Sequence, residues 1–335
     1  RGCVESAGPV WRSSVLALAA SALAMLALAP RGVSGQVCAP DPVTSVAQLQ
    51  AAVVDGSCTA VDLAPGTYLL TTSGSGPLVP VGTKIIRNAG GGTVTIDAGG
   101  ASRVFDINAG TRVTLDGLEI TGGVTTGGGD GAGIDTDGDS TVVRNSAVFG
   151  NVSNDNGGGL FQRAGSQLFI ENSTFADNRA RDRGAGLTVR LNSVLTHVSV
   201  VGNVSDDNDQ GAGIDRVGGG PTAPVLTNVL VADNVGANQI RGSAWVFQGV
   251  NLVEGCTTCA AGTITLDPLA QPLANNGGPT RTVALAPGSL AIDAATTVLA
   301  TDQRGVARPQ GPGSDIGAYE APFSGVVQGV VVTPD

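Results

Sequence analysis

Short β-branched runs recur along the middle of the chain, each followed by one polar residue, a second apolar run and usually an asparagine. Segments starting at Arg112, Thr141, Gln167, Val194 and Val225 read RVTLDGLEITGG, TVVRNSAVFGN, QLFIENSTFADN, VLTHVSVVGN and VLTNVLVADN. The polar residue between the runs is Asp116, Asn145, Asn172, His197 and Asn228, at separations of 29, 27, 25 and 31. The closing asparagines are Asn151, Asn178, Asn203 and Asn234. A glycine anchor follows each variable loop and ends at Ile134, Leu160, Leu187 and Ile214, spaced 26, 27 and 27. A period near 27 with short strands and no helical spacing predicts one turn of a parallel β-solenoid. Successive turns stack about 4.8 Å apart, so equivalent residues form columns. Asparagine suits such columns because it tolerates left-handed backbone angles and bonds to its neighbours in the stack. Glycine suits a bend that needs positive φ or close backbone approach.

The ends of a solenoid expose strand edges and need closing. VAQLQAAVVD, Val46 to Asp55, has helical apolar spacing, and Val61 to Tyr68 reads as the first strand and turn. A short amphipathic helix over the first coil is the expectation. Asn275 to Glu320 has no period and many turn signals, which predicts an irregular cap at the rear. The organisation that follows is a cap and first coil over 36–80, repeats over 81–265, a C-terminal region over 266–320 and a tail over 321–335.

Composition adds the compartment. Arg12 precedes an apolar stretch from Val15 to Leu28, broken only by Ser21 and too short to span a bilayer as a helix. It reads as a secretory signal, with cleavage placed after Gly35, so residues 1–35 are the expected signal peptide. Cys3 leaves with it. Of the four cysteines left, Cys38 is expected to pair with Cys58 and Cys256 with Cys259. The alternative of a redox-active C-x-x-C is weak, because no helix pattern follows it to lower a thiol pKa. One lysine, Lys84, against 17 arginines, with abundant alanine and glycine, fits a GC-rich bacterial gene. The balance of 18 basic and 28 acidic residues gives a net charge of -10, which disfavours nucleic acid and anionic lipid as partners. One histidine excludes a multi-histidine zinc site. Hydrophobic residues at 41% suffice for a core, although glycine numbers 51.

Phe175 to Asn178 and the Gly-Gly/Ala-Gly-Leu/Ile anchors resemble the repeat grammar of right-handed parallel β-helix surface proteins of the polymorphic outer-membrane protein type. Leu273 to Glu320 is similar to the C-terminal region of choice-of-anchor Q domain proteins. The blocks Asn-Gly-Gly-Pro-Thr, Gly-Ser-x-Ala-Ile-Asp, Asp-Gln-Arg-Gly and Asp-Ile-Gly-Ala-Tyr-Glu come here in that order. Leu290 stands where that family usually has proline, and Ser314 where it often has cysteine. The resemblance implies an all-β, right-handed parallel β-helix displayed at a cell surface. The family's usual sorting signal or membrane segment is not evident in APFSGVVQGVVVTPD, so attachment or release stays open.

Parallel β-helices also carry polysaccharide lyases and hydrolases, whose carboxylates line one face. Asp155, Asp182 and Asp209 each lie four residues before the last glycine of an anchor. In register they would stack about 5 Å apart, close to the separation in a retaining glycosidase pair. They are the residues of choice if the protein is an enzyme; as turn residues at a solvated edge they would be structural. Asp135, Asp137 and Asp139 begin like a calcium loop, but Ser146 stands where the closing acid belongs. Calcium is the one cofactor the pattern suggests. His197 reads as a member of its column and not as a catalyst. In the C-terminal region, Arg304 is expected to pair with Asp315 or Glu320 and, with Asp302, to lock the cap. With Trp245 the only tryptophan after the signal, glycan contacts would be polar. The reading is an exported, monomeric, non-catalytic protein that binds an extracellular glycan or a surface protein. A polysaccharide lyase or hydrolase and a structural spacer are the alternatives.

Overall fold

The computed structural model describes residues 36–74, 76–207, 211–218 and 222–323. The expected signal peptide and nearly all of the tail lie outside these residues. The described chain is mostly β, a parallel β-solenoid of about 6 turns with one short helix near its start.

Side-chain alternation in the repeats builds three stacked faces. In the first, Val61, Ile86, Leu115, Val143, Ile170, Leu195, Leu226 and Phe247 lie in register from coil to coil. In the second, the register runs through Ile96, Ile120, Val148, Phe175, Val200, Val231 and Val253. The third carries the anchor residues Ile134, Leu160, Leu187 and Ile214, between Phe105 and Ile240. All pairings are parallel, and the inward residues of the three faces form one core. Strands Leu168–Ala176 and Ser193–Val201 run unbroken round the corner between the first two faces, joining them into a 14-stranded sheet. A fourth, short flank stacks Val152–Ser153, Arg179–Ala180 and Val204–Ser205.

The glycine anchors serve close approach. A Cβ on Gly159 would lie 2.5 Å from the Gly186 carbonyl, and one on Gly186 2.6 Å from that of Gly213. No other residue lets neighbouring coils pack this tightly there.

Helix α1, Val46–Val54, closes the front. Ser45 and Gln48 form a reciprocal capping box that satisfies the first amides, and Val46, Leu49, Ala52 and Val53 face the core. Lys84, only 1% exposed, crosses beneath it and donates to the carbonyls of Asp55 (2.6 Å) and Cys58 (2.7 Å). Cys38 is disulfide-bonded to Cys58, which ties the N-terminal segment to the first coil.

At the rear, the closure differs from the sequence expectation. Ile240, Trp245, Phe247 and the Cys256–Cys259 disulfide pack against the last turn of the core. The C-terminal region, irregular as expected, lies instead along the outer side of the second face. Its hairpin, Ala270–Ala274 with Thr282–Leu285, and Ala291, Ala295 and Ile316 bury Ala176, Val201, Leu230, Ala232 and Leu252 in a second core. The physical reason is legible in the strands. Outward positions in one column of this face are Asp97 and Thr121 in the early coils but Phe149, Ala176, Val201 and Ala232 in later ones, and the adjoining column ends in Leu230 and Leu252 after Thr174 and Ser199. A face apolar on both sides needs a second layer, and residues 270–320 supply it as a lateral strap.

Candidate functional site

The loops between the short flank and the third face place the acids. Ser153, Ala180 and Ser205 are in register, so Asn154, Arg181 and Asp206 form one row and Asp155, Asp182 and Asp207 the next. Backbone bonds follow the rows, Arg181 N donating to Ser153 O (3.1 Å), Asp206 N to Ala180 O (3.0 Å) and Asp207 N to Arg181 O (3.0 Å), and the Asp182 N bond to Asp155 O (3.0 Å) keeps these two acids adjacent with a step of one residue. The row expected from the glycine anchors, Asp155, Asp182 and Asp209, therefore shifts at its third member. Asp209 itself lies outside the described residues. The third loop is two residues longer between its serine and its glycine anchor, so counting back from the anchor overshoots the row.

Gly128, Asn154, Asp155, Arg181, Asp182, Asp206 and Asp207 line an open cavity of about 490 Å³. Partial burial, and then the charges of Asp130 and Asp182, push the Asp155 carboxyl above its ordinary range. The other acids are balanced locally. Asp182 pairs with Arg183 (3.2 Å), Asp206 with Arg179 (2.7 Å), and Asp130 accepts from the Asn156 amide nitrogens. This arrangement offers stacked carboxylates one rung apart, interleaved with cations, and it can recognise hydroxyl or amide groups by charge-assisted hydrogen bonds.

The calcium candidates do not converge. The Asp135 carboxylate, buried on the outer side of the third face, is held by Arg103 (2.6 Å) and Arg163 (2.5 Å). Asp139 accepts from Gly110 N, and Asp137 pairs through its backbone to Ile107. Among the described residues no group of three acids, cysteines or histidines is placed to hold a metal ion.

The two polar columns separate in role. Asn151, Asn178, Asn203 and Asn234 form a continuous buried ladder of amide bonds, 2.9, 3.0 and 2.8 Å from one side chain to the next, ending on Gln239 (2.7 Å). Asn145, Asn172, His197 and Asn228 all take left-handed angles at the corner between the first two faces. Asp116 is not their fellow: it pairs with Arg144, and its neighbour Gly117 takes the corner. His197 accepts at Nε2 from Asn228 Nδ2 (3.0 Å). Burial, and then the Arg308 charge, hold its imidazole far down, to about 3, so it is neutral.

The strap docks on this corner. Asn172 and Asn228 donate to the carbonyls of Thr301 (2.8 Å) and Thr296 (2.9 Å), and Thr174 donates to Gln303 Oε1 (2.7 Å). The expected Arg304 partners are corrected. Arg304 pairs with Asp302 (2.7 Å), lies 3.8 Å over the Tyr319 ring and reaches Glu320 only through its backbone carbonyl. The cation that holds Glu320 is Arg308 (2.7 Å), with side chains 0% and 1% exposed. Asp315 accepts from the amides of Asp293 and Ala321, and burial pushes its carboxyl up to about 6.

No protein-family model, curated protein or solved structure matches this chain.

Sequence reasoning missed two charge arrays that only register reveals. On the outer side of the first face, Asp62, Arg87, Asp116, Arg144 and Glu171 stack in alternating sign, with Arg87 to Asp62 at 2.7 Å and Arg144 to Asp116 at 2.9 Å. On the outer side of the third face, Arg163 and Arg190 flank Phe161, 5.4 and 5.8 Å from its ring centre. The signal was available in part: these residues sit at equal offsets from the strand anchors of adjacent coils.

Proposed function

We propose that this chain is an exported protein, at the cell surface or released, that binds an extracellular glycan without transforming it. The observation carrying this reading is the pair of stacked rows, Asn154, Arg181 and Asp206 beside Asp155, Asp182 and Asp207, along one open polar cavity. A row of carboxylate acceptors beside a mixed row of amide, cation and acid, repeating about every 4.8 Å, suits a polymer of hydroxyl-bearing units. Export is supported by two disulfides. No helix among the described residues is long and apolar enough to cross a membrane. The resemblance of the C-terminal blocks to choice-of-anchor Q proteins points the same way. The protein acts as a monomer in this reading.

One observation favours catalysis as a second reading: Asp155 has a raised pKa one rung from Asp182, as an acid beside a carboxylate would. A glycan array on the full chain, with and without calcium and read for retention and product release, separates the two. Retention without products supports binding. Products that vanish in Asp155→Asn establish an enzyme, and silence on glycans with capture by a surface protein overturns the glycan reading.

A further inference from the structure

The open cavity beside the stacked rows carries an imbalance of charge that narrows its ligand. Among the described residues its wall holds four carboxylates, Asp155, Asp182, Asp206 and Asp207, against one guanidinium, Arg181. Two of these acids bring cations of their own, Arg183 on Asp182 and Arg179 on Asp206. Asp155 does not. Its partly buried carboxylate accepts no hydrogen bond and joins no ion pair among the described residues. The side-chain amide of Asn154, next to it on the wall, is equally unengaged. The charges that bear most on Asp155 are those of Asp130 and Asp182, with Arg183 and Arg181 opposing them less strongly, so its surroundings are negative even with the arginines counted.

A half-buried carboxylate in a negative field favours a cationic guest. A metal ion is poorly served, since among the described residues no group of three acids, cysteines or histidines is placed to hold one. A primary ammonium needs less. It carries three donors on one centre and directs them to carboxylate and amide oxygens as charge-assisted hydrogen bonds. The bond from Asp182 N to Asp155 O (3.0 Å) keeps a second carboxylate-bearing residue beside the first. We infer that the cavity takes a sugar with a free amine, its ammonium held by Asp155 with Asn154 and, in the next coil, Asp182, and that Asp155 is the residue that selects it over neutral and acidic sugars. That the ammonium is carried on a glycan rests on the function proposed above; the preference for a cation rests on the charges of the wall.

Calorimetric titration of the full chain with a glucosamine trisaccharide, its N-acetylated counterpart, trigalacturonate and the non-sugar amine spermidine tests this at about pH 6.5, where amines are protonated and most carboxylates ionised. The amine-bearing trisaccharide should bind about tenfold more tightly than the acetylated one, and trigalacturonate should not bind. Asp155→Asn should erase that preference while the acetylated trisaccharide binds as before. Arg181→Gln, at an exposed position, should widen the preference, because it removes the one opposing cation of the wall. Added salt should weaken the amine-bearing ligand more than the acetylated one. Equal binding of the two trisaccharides to the wild type, or a preference that survives Asp155→Asn, overturns the inference and leaves the glycan reading standing. Tighter binding of trigalacturonate does the same by reversing the sign of the site. If no sugar binds but spermidine binds and loses its affinity in Asp155→Asn, the cation site holds and the glycan reading falls; silence on all four probes overturns both.

Discussion

The column Asn151, Asn178, Asn203 and Asn234 and the column Asn145, Asn172, His197 and Asn228 run through the same coils, yet the first bonds to itself throughout and the second, apart from the bond of Asn228 to His197, bonds elsewhere. In the first, each amide donates to the next, and the backbone nitrogen of each residue donates to the same oxygen (3.1, 3.0 and 3.0 Å). Nothing outside the solenoid is needed, and Gln239 completes the last rung from within its own coil. In the second, the side chains point outward at a left-handed corner, and two of them donate to strap carbonyls. Similar residues thus serve two purposes: one column holds coil to coil, the other offers a docking line for residues 270–320. The difference lies in which requirement is strict, the side-chain amide in the ladder and the backbone angle at the corner.

The largest expected effect attacks the strap. Arg308→Met leaves Glu320 buried without its cation and removes donors to the Asp315 and Gly317 carbonyls. Removing one partner of a buried ion pair costs about 3–5 kcal/mol. Hydrogen exchange should show protection lost in the strap and at the Asn172 and Asn228 corner while the ladder amides keep theirs. Equal loss in both columns would mean that strap and solenoid open as one unit.

The ladder should be the next most sensitive. Asn178→Gly removes the acceptor of Asn151 and the donor to Asn203 and Val148 in a dry interior. Leaving such groups unsatisfied costs about 2–3 kcal/mol in total, and chemical denaturation should reveal it as a lower midpoint at an unchanged slope.

The pH response isolates the corner from the ladder, which holds no titratable group. His197 is depressed from 6.5 to about 3, so as pH falls below 6.5 the unfolded chain takes a proton that the folded one refuses, and stability drops. Asp315 is raised from 3.8 to about 6, so as pH falls from 6 toward 3.8 the folded chain takes the proton first and stability rises. The two slopes oppose each other in that window. Arg308 stands against both groups and Glu320 against Asp315, and both are common to the two variants below. His197→Asn should therefore grow more stable between pH 6 and 4, and Asp315→Asn should lose stability more steeply than wild type. Parallel curves for the two variants would show that neither group titrates as its burial requires.

The solenoid, its period and the anchor column were readable from the chain because inward residues repeat without error in every coil. Helix α1 was readable too, from its apolar spacing. The position of the C-terminal region was harder. Its turns gave no period, and the clue lay elsewhere, in the outward alanines and leucines of strands whose inward faces were already full. Asp207 was displaced from view by a loop two residues longer than its neighbours, and Arg308 by the proximity of Arg304 to the more recognisable Asp-Gln-Arg-Gly block. Charge arrays such as Asp62, Arg87, Asp116 and Arg144 are invisible until register is known, since their members are more than twenty residues apart in sequence.

The smallest effect is the sharpest test of the contrast. The molecule already contains the experiment once: Gly117 occupies the corner one coil before Asn145, with φ of 69 against 51. Asn145→Gly keeps the left-handed angle without strain and gives up only the part-buried bond to Asp116 (2.9 Å), which Arg144 continues to hold. A loss of about 0.5–1 kcal/mol is expected, one exposed-side hydrogen bond offset by easier φ. Asn145→Val at the same place should cost several times more, because a β-branched residue is a poor occupant of that region. If Asn145→Gly proves as damaging as Asn178→Gly, the corner depends on its side chains as the ladder does, and the division between the two columns collapses.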